Sequence, residues 1–413
     1  MPQNATAQEE ASQTGNQTRN QTENHPAPQG EGTGLRVAQV CGKLNSATAD
    51  DVAAMATHLL HEGAAAITIS GGGEGVQDLL ETGTEHYELP LRDGRGPIGT
   101  ARLGMQLARI LRQTRAQVVH LRSQSLSWPV FVATQLTGLP LIISVDDGLG
   151  GVKRAPVSVF RRADCILVPT EAHKENLVTM GVAGEHVIVM PLGYDSLTYN
   201  TDNMDANKVD ALWAEWDVPS ATRVLYVPTR KLEDNAGLDV FITALGQLRH
   251  LPFKAIISGN YAHNRLKFTE LWQQVEATGL SKHVLFIGTP HDPVNTYAAA
   301  DVVVCPHIYE PPTSRAPLRA FAMGKPVVAT ALASHQACIA HDETGLLCPP
   351  NDPERLASAL KKAVEDNVKM HKMGGRAVKQ VHKTHSHKEI CPRVFSIYRT
   401  LTGGAFNEQE TGT

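Results

Sequence analysis

The sequence predicts an α/β protein built from two doubly wound parallel-sheet domains facing a central cleft, and three observations predict it. From Leu35 onward, short apolar runs of strand length alternate with longer amphipathic runs, as βαβ units require. The alternation lapses between Met190 and Pro219, where polar and turn-forming residues take over, including the PLGYD segment at 191–195. It then resumes for a second series, and a length of 413 residues accommodates two such sheets.

In the first domain, 35–192, strands are expected at 36–41, 65–70, 117–121, 140–145, 163–168 and 186–190. Residues 50–62 read as a helix stopped by Gly63. Residues 99–115 read as a second, with Leu103, Leu107, Ile110 and Leu111 on one face. Its opposite face carries Arg102, Arg109, Arg112 and Arg115, which reads first as a solvated face and second as a peripheral membrane contact. A linker at 193–219 ends in a short helix with Trp213 and Trp216. The second domain, 220–385, has strands expected near 223–228, 253–258, 283–287, 301–305 and 325–330, and 386–402 is a final amphipathic segment.

Residues 1–34 are rich in Gln, Asn, Thr, Glu and Gly and almost free of aliphatics. They cannot bury enough surface to offset ordering entropy and read as a disordered tail, and 403–413 as a second flexible one. The N-x-T triplets at Asn4, Asn16 and Asn20 arise by chance in so biased a segment. The N-terminus has no apolar signal core, and no stretch approaches the length of a spanning helix, so a cytoplasmic protein is expected. Six scattered cysteines without a CxxC pair read as reduced core thiols, and no metal site is expected. A net charge of −4 excludes a globally basic chain, and no basic stripe is interleaved with aromatics, so nucleic acid is not an expected partner.

Several strand ends carry chemistry. Gly42 to Ser46 follows the first strand and leads into the first helix, where backbone amides can receive an anion, which makes Asn45 and Ser46 candidates for a phosphate or acceptor loop. The run Gly71-Gly72-Gly73-Glu74-Gly75 fails dinucleotide-fingerprint spacing, since Val76 stands where a glycine is needed, and reads as a plain turn. His120 ends its strand, where side chains face the ligand crevice of open sheets; a hydrogen-bonded structural histidine is the equal alternative. Asp146 and Asp147 are adjacent and point to opposite faces, so they chelate poorly and only one of them faces the cleft. Arg230 puts a cation at the carboxyl end of a strand in the second domain.

The segment 305–350 is the most informative. Its LRAFAMGKPVVAT (318–330) and DETGLLCPPNDP (342–353) resemble the LEAMAxGxPVVAT and ETGLLxPPxDP of retaining GT-B glycosyltransferases of family 4. The resemblance covers roughly 35–400 and implies a GT-B architecture. It implies metal-independent, cofactor-free transfer of a sugar from a nucleotide-diphosphate donor to a glycan or lipid-linked hydroxyl acceptor. Envelope polysaccharides and glycolipids are the implied products. It implies that Arg230 clamps the diphosphate, that Glu310 is the first family glutamate, that Asp146 is the aspartate facing the cleft, and that Asp146 and His120 join them as catalytic groups; Lys231, beside Arg230, is a candidate to replace the missing family lysine and reads first as a solvated loop charge. Gly288, Thr313, Ser314, Arg315, Leu318 and Arg319 fall on the donor pocket. Three positions depart from the family pattern: Asp146 stands for a histidine, Ala236 for a lysine and Arg319 for the ribose-binding glutamate. An arginine has no acceptor for ribose hydroxyls, and Arg315 and Arg319, four apart, suit phosphate instead. A degenerate GT-B protein that binds without turnover stays open beside the enzyme, and a sugar-nucleotide epimerase is the third reading.

Overall fold

A computed structural model describes residues 34–44, 46–90, 96–145, 156–230, 232–262, 264–311 and 315–403. Among the expected site residues, Asn45, Asp146, Lys231, Thr313 and Ser314 lie outside these, as do the N-terminal tail through 33 and residues 404–413.

The first sheet is wholly parallel, in the order β3-β2-β1-β4-β5-β6-β7. Its strands are β1 (Arg36–Val40), β2 (Ala65–Ser70), β3 (Glu85–Glu88), β4 (Val118–Leu121), β5 (Leu141–Ser144), β6 (Cys165–Val168) and β7 (Val187–Val189). The second sheet is also parallel, in the order β10-β9-β8-β11-β12-β13. It comprises β8 (Arg223–Val227), β9 (Phe253–Ser258), β10 (Val284–Gly288), β11 (Val302–Cys305), β12 (Val327–Thr330) and β13 (Gly345–Cys348). Parallel strands covered by helices on both faces must be apolar throughout, which is why they read as uninterrupted runs. In β8 the alternation is visible: Val224 and Tyr226 enter one core, Leu225 and Val227 the other.

Two strands were not expected. β3, EHYE, is an edge strand with charged and half-exposed residues, and β13 is only four residues long. The first helix begins earlier than expected, at Ser46, and runs to His61. The segment expected as a linker is built into the second core. Tyr194, Tyr199 and Trp216 are buried there, and the short helix spans Ala206–Glu215. Helix His387–Leu401 buries Ile390, Val394 and Phe395 against the first helix and the first sheet. The two chain crossings are zipped together: Tyr194 N donates to His385 O, and His387 N to Tyr194 O. All six cysteines are buried and unpaired with one another. Among the described residues no helix is long and apolar enough to cross a membrane.

Candidate active site

In an open parallel sheet, the loops that follow the two strands at the point where strand order reverses diverge to opposite faces and leave a crevice. In the second sheet those strands are β8 and β11, and the loops carry Arg230 and Glu310. Arg230 is exposed, and its guanidinium has no hydrogen bond or ion pair among the described residues. Its carbonyl accepts from Asn260 N at 2.9 Å, which fixes the backbone beneath it. Both Glu310 carboxylate oxygens accept from Ser334 N, at 3.3 and 3.4 Å, so this acid is anchored to the short helix Ala333–Gln336 after β12. Glycines allow the close approach of these loops. Gly237 has φ +66°, and a Cβ there would run into the Pro306 carbonyl; Gly259 abuts Thr229 in the same way. Gly288, φ +68°, leaves open the space beside the Tyr261 ring, which is stacked on Phe268.

Two histidines that the sequence did not single out stand behind Glu310. His335 is wholly buried and its Nδ1 donates to Thr330 O at 2.8 Å, leaving Nε2 as an unpartnered acceptor. His307 lies 5.6 Å from it, centroid to centroid. Burial, and then the neighbouring imidazole, push the His307 pKa down to about 3, so both rings are neutral. No motif signals them: the partner of His335 is a backbone carbonyl, and the His307 Nδ1 has no hydrogen-bond partner among the described residues.

In the first sheet the reversal falls between β1 and β4, and the loops are 41–46 and 121–123. The glycine run is what joins the first of them to its neighbour: Gly71 N donates to Gly42 O, Leu44 N to Gly72 O and Gly75 N to Leu44 O. Gly73 has φ +134°, and a Cβ on it would lie 2.5 Å from Leu44 O. Ser46 opens the helix that follows.

The two crevices meet at Asp51. Its carboxylate accepts from Arg315, which comes from the second sheet's loop, from Arg122 at 3.2 Å, and from His387 at 2.9 Å. Burial alone would raise the Asp51 carboxyl. The charge of Arg315, the hydrogen bond with His387 and the charge of Arg122 outweigh burial and hold it well below the usual carboxylate range. The adjacent Asp50 pairs at 3.2 Å with Arg319, four residues beyond Arg315, and the Arg319 guanidinium lies 4.7 Å from the centroid of the Tyr199 ring. Burial raises the Asp50 carboxyl, against the opposing pull of Arg319.

Four expected placements are therefore corrected. His120 does not face the crevice: it is fully buried, 2.5 Å from Tyr398 Oη and 2.7 Å from Ser144 Oγ, and burial holds it neutral. Arg315 and Arg319 do not stand beside Arg230 on an open phosphate surface, because aspartates of the first helix engage both. Leu318 is 2% exposed and belongs to the core under β11 and β12. Ala236, where the resemblance has a lysine, is also a core residue. Arg230 and Glu310 lie in the loops after the two strands of the reversal, and Gly288 ends the edge strand β10.

Comparison with known proteins agrees with this architecture. The model for the glycosyl transferase 4-like domain matches residues 32–193, and that for glycosyl transferases group 1 matches 222–366. The D-inositol 3-phosphate glycosyltransferase of Corynebacterium urealyticum is 29% identical over 167 residues, 40% of this chain and 39% of the relative. The phosphatidyl-myo-inositol mannosyltransferase of Mycolicibacterium smegmatis is 25% identical over 237 residues, 56% of this chain and 57% of the relative. The chain thus matches about half the length of these curated relatives. Among solved structures, a glycosyltransferase from Rickettsia africae superposes with a TM-score of 0.81 at 20% identity, over 90% of this chain and 100% of that one. Anabaena Alr3699/HepE, solved with UDP, gives 0.74 at 19% identity, over 89% and 100%. With both sheets matched by the family's two domain models, the chain belongs to the group 1 glycosyltransferases and has their GT-B fold.

Proposed function

We propose that this chain transfers a sugar from a nucleotide-diphosphate donor to a hydroxyl acceptor, with retention of configuration and without a metal, in the synthesis of an envelope polysaccharide or glycolipid. The observation that carries the reading is Arg230: an exposed cation at the strand-order reversal of the second sheet, with no protein counter-charge among the described residues. Donor cleavage develops negative charge on the leaving diphosphate, and a fixed guanidinium aimed at it stabilises that charge more than it stabilises the ground state. Glu310, held by Ser334 N, keeps lone pairs for donor hydroxyls. HepE, which shares the fold, was solved with UDP and with UDP-glucose, and this supports a nucleotide-sugar as donor.

A second reading, a GT-B protein that binds without turnover, is favoured by one observation: Arg319 and Ala236, two of the departures from the family pattern, are committed to protein contacts. Titration with a panel of nucleoside diphosphates, followed by product analysis with the sugar form of the tightest binder in the presence of a chelator, distinguishes them. The transferase reading expects binding and a retained-anomer product that persists with chelator. Binding without product under acceptor screening sinks turnover, and an absence of binding to any nucleotide sinks both the site and the reading.

A further inference from the structure

Glu310 is held from behind by a closed ring of contacts. Ser334 N donates to its carboxylate, and Ser334 belongs to the short helix Ala333–Gln336. The next residue, His335, donates from Nδ1 to Thr330 O at 2.8 Å, and the same carbonyl accepts from Leu332 N. Thr330 Oγ1 in turn donates at 2.7 Å to the carbonyl of His307, on the loop that carries Glu310. The loop after β11 and the turn after β12 are thus joined twice, once through the acid itself and once through Thr330.

Packing alone does not explain an imidazole at this place. His335 is fully buried, and its Nε2, the His307 Nδ1 and the Ser334 Oγ are buried with no hydrogen-bond partner among the described residues. The two rings lie 5.6 Å apart, tilted by 53°. Unpaired polar atoms in an interior are unfavourable, and an apolar side chain of similar shape avoids them. What such a side chain cannot do is donate to Thr330 O. That bond sets the helix from which Ser334 N reaches Glu310. The ring must also stay neutral, because a cation behind Glu310 would draw its charge inward; burial keeps it so, against the pull of Glu310.

We propose that His335 is a positioning residue for Glu310: its bond to Thr330 O fixes the Ser334 N–H that orients the carboxylate toward the sugar of the donor. The inference rests on the reading of Glu310 as the acid that meets donor hydroxyls, and it adds the group that aims it.

The test is isothermal titration of the full chain with UDP, GDP and ADP and with their glucose and mannose conjugates, read as the affinity of the best conjugate relative to its own nucleoside diphosphate. Glu310→Gln and His335→Leu should each lower that ratio about tenfold, with nucleoside diphosphate affinity within about twofold of wild type. The double variant should lose no more than either alone. His335→Asn, whose amide can donate to Thr330 O in place of Nδ1, should restore the ratio. Thr330→Val cuts the other half of the ring and should lower it as well, which keeps the test decisive if His335→Leu does not fold. Equal weakening of nucleoside diphosphate and conjugate, additive losses, an unchanged ratio in Thr330→Val, or no rescue by asparagine each overturns the proposal while leaving the transferase reading in place. A wild type that binds none of the nucleotides overturns both.

Discussion

Asp51 and Arg315 bond directly although they come from different sheets, 264 positions apart, and both are more than nine-tenths buried. The aspartate also holds Arg122 beside β4 and His387 at the start of the C-terminal helix. The first helix, the reversal loops of both sheets and the returning helix are thus tied at one carboxylate. Because Arg315 opens the helix that carries Arg319, the same contact fixes the wall of the candidate site.

Asp51→Ala is predicted to destabilise the chain by about 3–5 kcal/mol, because it removes the buried carboxylate that Arg315, Arg122 and His387 share. Arg315→Met should cost much less on the Asp51→Ala background than alone. Urea unfolding of the four proteins of that cycle measures the coupling. Strictly additive losses would show that the pair is not a unit.

Acid should weaken the fold before its carboxylates titrate. Burial holds His120 and His335 below the ordinary imidazole value, His307 at about 3 and His385 at about 4. Between those values and about 6.5, the unfolded chain binds protons that the folded chain refuses, so stability is full above that window and falls as pH drops through it. Asp51 works lower: its folded pKa is depressed, so its contribution persists until pH falls below about 4. The thermal midpoint should therefore decline steadily from about pH 7 to 4.5. A flat midpoint down to about pH 5 contradicts buried neutral histidines.

Much of the fold was legible because a doubly covered parallel sheet demands apolar runs, and eleven of the thirteen strands announce themselves that way. β3 did not, since an edge strand tolerates Glu85, His86 and Glu88. Arg230 and Glu310 were legible by position, as polar residues directly after strands. The partners of Arg315, Arg319 and His120 were not. Asp51, Asp50 and Tyr398 lie more than 260 positions away from them, and nothing local marks the pairing. An arginine after a strand looks the same in sequence whether it awaits a phosphate or already holds an aspartate.

Gly237→Ala should disturb the site without touching a ligand. The residue sits at φ +66° against the Pro306 carbonyl, so the new methyl meets strained backbone and a fixed oxygen together. We expect a loss of more than about 2 kcal/mol in stability and weaker nucleotide binding, as the loop bearing Glu310 is displaced. Wild-type values for both in calorimetry would show that the loop is not fixed by this contact.

The sharpest prediction concerns Arg319, which stands where the family pattern has a ribose-binding glutamate. In the structure its guanidinium lies between Asp50 and the Tyr199 ring, so its first role is to clasp the two sheets. Arg319→Glu puts a carboxylate beside Asp50 and removes the cation from the ring. With both partners partly exposed, the loss should be about 1–2 kcal/mol. Nucleotide affinity should fall with it, because the site wall loosens. The exchanged pair Asp50→Arg/Arg319→Glu restores attraction across the sheets while leaving an acid at 319. If Arg319 acts as a clasp, both the thermal midpoint and nucleotide binding recover in the exchanged protein. If it reaches a donor phosphate, the midpoint recovers and binding does not, since the cation now sits on the wrong helix. We expect recovery of both, and a stable exchanged protein that cannot bind nucleotide refutes the clasp.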